Sequence, residues 1–237
     1  MKVKYFVVFH KNIHEECYQE LTDEELKNFV FVAVNPSIEK KYPSDPKYNI
    51  LKEWELPIYI PDLQQNNFKE SSVIIHAYLN KLFDELDCIG FFQYDMYFKK
   101  GSLDLDFTKI NCLSLHDFDM YIMNSALPIF SLQRLLFGLR ELNLFDDTKF
   151  SIIKNVYPLG STFILPVNFY KKVAEYAWFI IKNGVGFPLQ FAYNCGYNNA
   201  IYMEYVFGII ISIFAKTEGL EMYEMKEKLI HDSHLKI

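Results

Sequence analysis

Arginine is nearly missing from this chain of 237 residues: Arg134 and Arg140 are the only two, and the other strongly basic residues are lysines. Bidentate arginine clamps on phosphate are therefore scarce. Glycine is scarce too, with nine in all. No GxxxxGK[ST] loop occurs, and the one GxG, Gly184-Val185-Gly186, has Leu189 where a third glycine would complete GxGxxG. P-loop NTPases, typical protein kinases and typical Rossmann dehydrogenases are thereby excluded. The serines lie in no GxSxG and the histidines in no HExxH, which leaves hydrolase triads and zinc-protease sites without support. The net charge of −6 lacks the basic footprint of general nucleic-acid binding. Cys17, Cys88, Cys112 and Cys195 form no CxxC, so reduced, buried thiols are expected rather than disulfides or a zinc site. Long hydrophobic runs are absent: the longest, Tyr205 to Ala215, contains Gly208 and Ser212 and falls short of the ~20 residues a membrane span needs. It reads as a buried helix. The start, MKVKYFVVFH, has no small-residue cleavage site and does not read as a signal peptide. The expectation is a cytoplasmic protein without a transmembrane segment, with peripheral membrane association left open.

What is present is globular composition, 51% hydrophobic and 17% aromatic, with no repeat or low-complexity linker. One compact domain follows, large enough to bury about 70% of its unfolded surface. The runs 3–9 (VKYFVVF) and 29–34 (FVFVAV) read as buried, parallel strands around a helical segment that starts at Thr22-Asp23-Glu24-Glu25. This β-α-β opening favours an α/β fold. Residues 36–69 hold five of the nine prolines and read as an irregular loop, either a functional lid or a surface excursion. Apolar spacing predicts helices over 69–86, 128–144, 166–182, 199–215 and 218–230, and strands at 88–95 and 161–165.

Ligands of open α/β sheets gather at the carboxyl ends of strands. That rule selects His10, Lys11, Asn35 and the run Gln93-Tyr94-Asp95. A carboxylate ending an apolar strand must be solvated, paired or bound to a metal, and Mg²⁺ or Mn²⁺ commonly takes one or two carboxylates plus substrate phosphates. Gln93 and Asp95 alternate onto one side of an extended strand; the competing reading is an aspartate that caps the next turn. Asp104/Asp106, Asp117/Asp119 and Asp146/Asp147 have the look of metal pairs but also of ordinary turn residues. Glu204, early in an apolar helix, is either functional or half of a salt bridge.

Four segments carry a family resemblance. VKYFVVFHK at the start, Glu70-Ser71-Ser72 through Asn80-Lys81, IGFFQYDMYF at 89–98, and Gly160-Ser161-Thr162-Phe163-Ile164-Leu165-Pro166 followed by Tyr202-Met203-Glu204-Tyr205 stand in the order found in small glycosyltransferase-like domains. The chain resembles such domains from bacterial capsule and polysaccharide loci, and those of large algal DNA viruses more closely. Asp95 and Met96 replace two arginines of the bacterial pattern, which puts the mechanism of the arginine-bearing members in doubt here. The resemblance implies a GT-A-like single α/β domain, with a mostly parallel central sheet flanked by helices and a helix-rich C-terminal part. Its nucleotide-binding part would span about 1–100 and its acceptor side about 101–237. It implies a metal-dependent glycosyltransferase, hexosyl or deoxyhexosyl, that moves sugar from a UDP- or dTDP-sugar to a glycan or glycoprotein acceptor. In this reading Asp95 binds Mn²⁺ or Mg²⁺, with Gln93 beside it. His10, Lys11 and Asn35 contact the nucleotide, Gly160 and Ser161 face sugar or acceptor, and Glu204 is the catalytic base. Were the chain viral, its place would be the host cytoplasm. The alternatives are a non-catalytic module that binds a glycan or nucleotide sugar, and a nucleotidyltransferase.

Overall fold

The computed structural model describes residues 1–65, 68–116, 157–183, 199–225 and 229–231. Its strands are β1 (Val3–Phe9), β2 (Phe29–Ala33), β3 (Ile50–Lys52), β4 (Cys88–Gln93), β5 (Met96–Phe98), β6 (Ile110–His116), β7 (Tyr157–Pro166), β8 (Met222–Glu224) and β9 (Leu229–His231). The helices are α1 (Asp23–Leu26), α2 (Pro61–Gln65), α3 (Glu70–Leu79), α4 (Val167–Asn183) and α5 (Asn199–Glu218). Seven strands form one sheet in the order β3-β2-β1-β4-β7-β6-β8. β7 runs antiparallel to both of its neighbours, β4 and β6, and the remaining pairs are parallel. β5 and β9 make a separate antiparallel pair, Met96 opposite His231 and Phe98 opposite Leu229. The result is an α/β domain with a mixed, mostly parallel sheet, flanked by helices and helix-rich toward its C-terminal part.

The near-continuous apolar strands follow from burial on both faces. Phe6, Val8, Val30, Val32, Ile89, Phe91, Phe163 and Leu165 pack with α3, α4 and α5. Their neighbours Tyr5, Val7, Phe9, Phe29, Phe31, Phe92 and Ile164 pack on the opposite side with Cys17, Tyr18, Leu26, Met96, Phe98 and Leu229. The α1 start is a capping box: the Thr22 hydroxyl accepts from Glu25 N–H, and the Glu25 carboxylate accepts from Thr22 N–H at 2.8 Å. Gly208 brings α5 against β7 so closely that a Cβ there would lie 2.1 Å from the Pro158 carbonyl oxygen. Cys17, Cys88 and Cys112 are buried thiols, and burial pushes Cys88 up to about 11.

Three expectations are corrected. The helix expected over 69–86 stops at Leu79, because Lys81 and Glu85 adopt positive φ of 53° and 66° and the chain turns back toward the sheet. Among the described residues of 218–230, no helix continues past Glu218. Gly219, at φ 68°, ends α5 with Gly219 N–H on the Lys216 carbonyl and Leu220 N–H on that of Ala215, and β8 and β9 follow. Segment 36–69 is not an irregular loop throughout, since it contributes β3, a 3-10 turn (Glu53–Glu55) and α2. The helix expected over 128–144, the pairs Asp117/Asp119 and Asp146/Asp147, and Cys195 lie outside the described residues. Among the described residues no helix is long and apolar enough to cross a membrane.

Candidate functional site

The carboxyl ends of β1, β2 and β4 lie side by side, since Val8 pairs with Gln93 and Phe9 with Ala33. His10 leaves β1 on the α3 side of the sheet and is 4% exposed. Asn35, at φ 58°, donates from Nδ2 to His10 Nδ1 at 2.7 Å. Nδ1 therefore accepts, and the proton of the neutral ring sits on Nε2. The Asn35 carbonyl is held in turn by the Lys40 ammonium at 2.6 Å. Lys11 comes next in the chain and is exposed; its carbonyl accepts from Lys41 N–H at 2.9 Å.

β4 ends at Gln93, and Tyr94-Asp95 form a turn into β5. Asp95 therefore does not share a face with Gln93 by strand alternation, as an extended chain would require. It is nonetheless 6% exposed. Its charge reaches both Tyr18 and Glu204. Gln93 crosses to α5, donating from Nε2 to Glu204 Oε1 at 3.4 Å. The Gln93 backbone N–H meets the Thr162 hydroxyl of β7 at 3.4 Å, which sets Gly160 and Ser161 beside this strand end. Gly160 has φ 88°, a conformation that favours glycine. Ser161 is buried, and its Oγ has no hydrogen-bond partner among the described residues.

Two neighbours were given no role of their own from sequence. Glu70, the first residue of α3, is 8% exposed and faces His10, Oε1 to Nε2, at 3.7 Å. Tyr94 sets its ring at 89° to that of His10, with centroids 6.2 Å apart. Burial pushes the Tyr94 phenol up to about 12, with Asp95 and Glu70 adding to the effect. A carboxylate at a helix start has the ordinary explanation of complementing the helix dipole, which is why the sequence hid Glu70.

The charges of Glu70 and Asp95 both act on Glu204. Burial, then the charges of Glu70 and Asp95, raise the Glu204 carboxyl to about 7, against an opposing pull from Lys69. Glu204 thus exchanges a proton near neutrality. Three carboxylates, with no arginine among the described residues to offset them, would repel a bare diphosphate. No group of three or more His, Cys, Asp or Glu among the described residues is arranged to hold a metal alone. The donor chemistry of Asp95 is still of the kind that magnesium or manganese takes, a hard carboxylate oxygen, and phosphate oxygens would complete the shell. Asp104 and Asp106 differ in kind. Asp106 Oδ1 accepts from both the Thr108 N–H, at 3.0 Å, and its hydroxyl, at 2.6 Å, and so closes a turn.

A second polar cluster is buried behind the site. Glu53, 0% exposed, accepts from Ser72 Oγ at 2.6 Å, His76 Nδ1 at 2.7 Å and Gln64 Nε2 at 2.8 Å. Ile60 N–H donates to His76 Nε2 at 2.9 Å, so the ring proton lies on Nδ1, toward Glu53. The Asn80 amide pairs with both backbone groups of Ile58, each at 2.8 Å. These bonds fasten segment 53–64 to α3 and thereby fix where Glu70 begins.

No protein-family model matches the chain, and no curated protein sequence matches it. Among solved structures it is similar to the apo form of WbbM, a bifunctional glycosyltransferase, with a TM-score of 0.64 and 13% identity. The match covers 99% of this chain and 46% of that one, so this chain spans about half the length of its relative. At that identity the likeness is one of fold, and the fold it shows is the GT-A-like α/β architecture.

Proposed function

We propose that the chain is a metal-dependent glycosyltransferase that moves a hexose or deoxyhexose from a UDP- or dTDP-sugar to a glycan acceptor. The observation that carries this reading is the meeting of β4 and α5: Gln93 reaches Glu204 at the strand ends, and Glu204 is raised to about 7. A general base is most effective with a pKa near the working pH. The fold shared with WbbM supports sugar transfer in general.

In this reading His10 and Asn35 meet the nucleotide at the end of β1, with Lys11 at the rim. Asp95 would hold a magnesium or manganese ion, which as a Lewis acid would neutralise charge on the leaving diphosphate. Ionised Glu204 takes the proton of the acceptor hydroxyl as that oxygen bonds to the anomeric carbon and the bond to the diphosphate breaks. Gln93 steadies the charged carboxylate through its amide N–H. Gly160 and Ser161 face sugar or acceptor from β7.

The test is thermal shift of the chain with UDP, dTDP and their sugars, with and without Mn²⁺. A ligand at 100 times its Kd stabilises by about 2.7 kcal/mol, which is readily measured. A Mn²⁺-dependent shift, lost in Asp95→Ala, supports the reading and names the nucleotide. A folded chain that shifts with no diphosphate overturns it.

A further inference from the structure

His10 Nε2 bears a proton, is buried, and has no hydrogen-bond partner among the described residues. Leaving such a donor unmet costs about 1–3 kcal/mol. A carboxylate oxygen, Glu70 Oε1, stands 3.7 Å away, beyond the ~2.7–3.2 Å of a direct bond. One oxygen at about 2.8 Å from both atoms would satisfy the two at once. It must accept from Nε2–H and donate to the carboxylate. A phosphate oxygen or a carbonyl cannot donate, and an ammonium cannot accept. A hydroxyl does both.

We propose that His10 Nε2–H and the Glu70 carboxylate clamp one alcohol hydroxyl of the bound nucleotide sugar, on its ribose or on its transferred sugar. The inference rests on the transferase reading and adds to it a specificity residue, Glu70. Three features support the clamp. Asn35 fixes the tautomer that points the proton outward from Nδ1 to Nε2. The edge of Tyr94 walls the imidazole. The buried network of Glu53, Ser72 and His76 anchors α3, so Glu70 is presented from a rigid turn. The charge of Glu70 is felt at both Glu204 and Tyr94. In the free protein a water can bridge the two groups and leave when the hydroxyl arrives.

The experiment is calorimetric titration of the full chain in Mn²⁺ with ligands that differ by one hydroxyl. UDP is set against 2′-deoxy-UDP and 3′-deoxy-UDP, and a UDP-sugar that binds against its single-deoxy forms. Wild type and Glu70→Gln, which keeps the side chain's size, are compared throughout. One hydroxyl should be worth roughly 10- to 100-fold in wild-type Kd, and most of that factor should vanish in Glu70→Gln. The ligand lacking that hydroxyl should bind the two proteins within about threefold. Loss on the ribose series assigns the clamp to the nucleotide, and loss on the sugar series assigns it to the donor sugar. Equal weakening of every ligand by Glu70→Gln, or no discrimination by wild type, overturns the clamp and leaves the transferase reading standing. A folded wild-type chain that binds no nucleotide overturns the reading itself and the clamp with it.

Discussion

Gln93 and Glu204 are separated by 111 positions in the chain and meet at 3.4 Å, amide nitrogen to carboxylate oxygen. The contact joins the last residue of a parallel strand to a helix that follows the whole sheet but its edge. It also holds a carboxylate whose proton affinity is raised into the neutral range.

The proton on Glu204 gives a stability signature. Its folded pKa of about 7 lies above the ordinary glutamate value of 4.5. Its contribution to stability is therefore fully present below pH 4.5 and is lost as pH rises through about 7. Above that, the charged form costs on the order of 2–3 kcal/mol. Glu204→Gln should raise the Tm of the ligand-free chain at pH 8, by more than it does at pH 5, while sugar transfer falls at least 100-fold. Wild-type transfer should rise with pH through about 7. Thermal melts and rates at the two pH values read both effects.

Asp95→Ala should abolish transfer and the Mn²⁺-dependent thermal shift with nucleotide. Asp95 acts on Glu204 through its charge, and the variant should keep the wild-type fold, so that the loss is one of binding. Circular dichroism and thermal shift on one preparation separate these results.

Glu53→Ala should destabilise by about 3 kcal/mol or more, because Ser72, His76 and Gln64 lose a shared buried acceptor. Urea unfolding measures the loss. Limited proteolysis should show new cleavage within 53–64, the segment that those bonds hold against α3.

Gly208→Ala should cost about 1–3 kcal/mol, although alanine is the better helix former. The new Cβ meets the Pro158 carbonyl oxygen at 2.1 Å, and a backbone atom cannot swing aside. A Tm lower than wild type, with far-ultraviolet dichroism unchanged, is the expected result.

Much of the sheet was legible because its strands are apolar on both sides. VKYFVVF and FVFVA permit few other readings, and the strand-end rule then located His10, Asn35 and Gln93. Local periodicity misled at α3, where positive φ at Lys81 and Glu85 breaks an apolar spacing that runs on to Leu86. It misled again after Gly219, where the signal was one glycine in a charged stretch. Glu70 and Glu53 were hidden for another reason. A glutamate at a helix start or in a proline-rich segment ordinarily faces water, and burial here comes from partners distant in sequence: His10 for Glu70, Ser72 and His76 for Glu53. Asp95 was singled out by alternation along a strand that in fact ends two residues earlier, so its burial has another cause, the turn into β5.

The central claim is that this cavity transfers sugar from a nucleoside diphosphate. Its most direct test is nucleoside diphosphate release from a panel of UDP- and dTDP-sugars, with Mn²⁺ or with EDTA, by wild type, Asp95→Ala and Glu204→Gln. The account predicts release from one nucleotide class in Mn²⁺, none in EDTA, and none above background from either variant. A folded wild-type chain that releases no diphosphate from any donor, or equal release by wild type and Asp95→Ala, would contradict it.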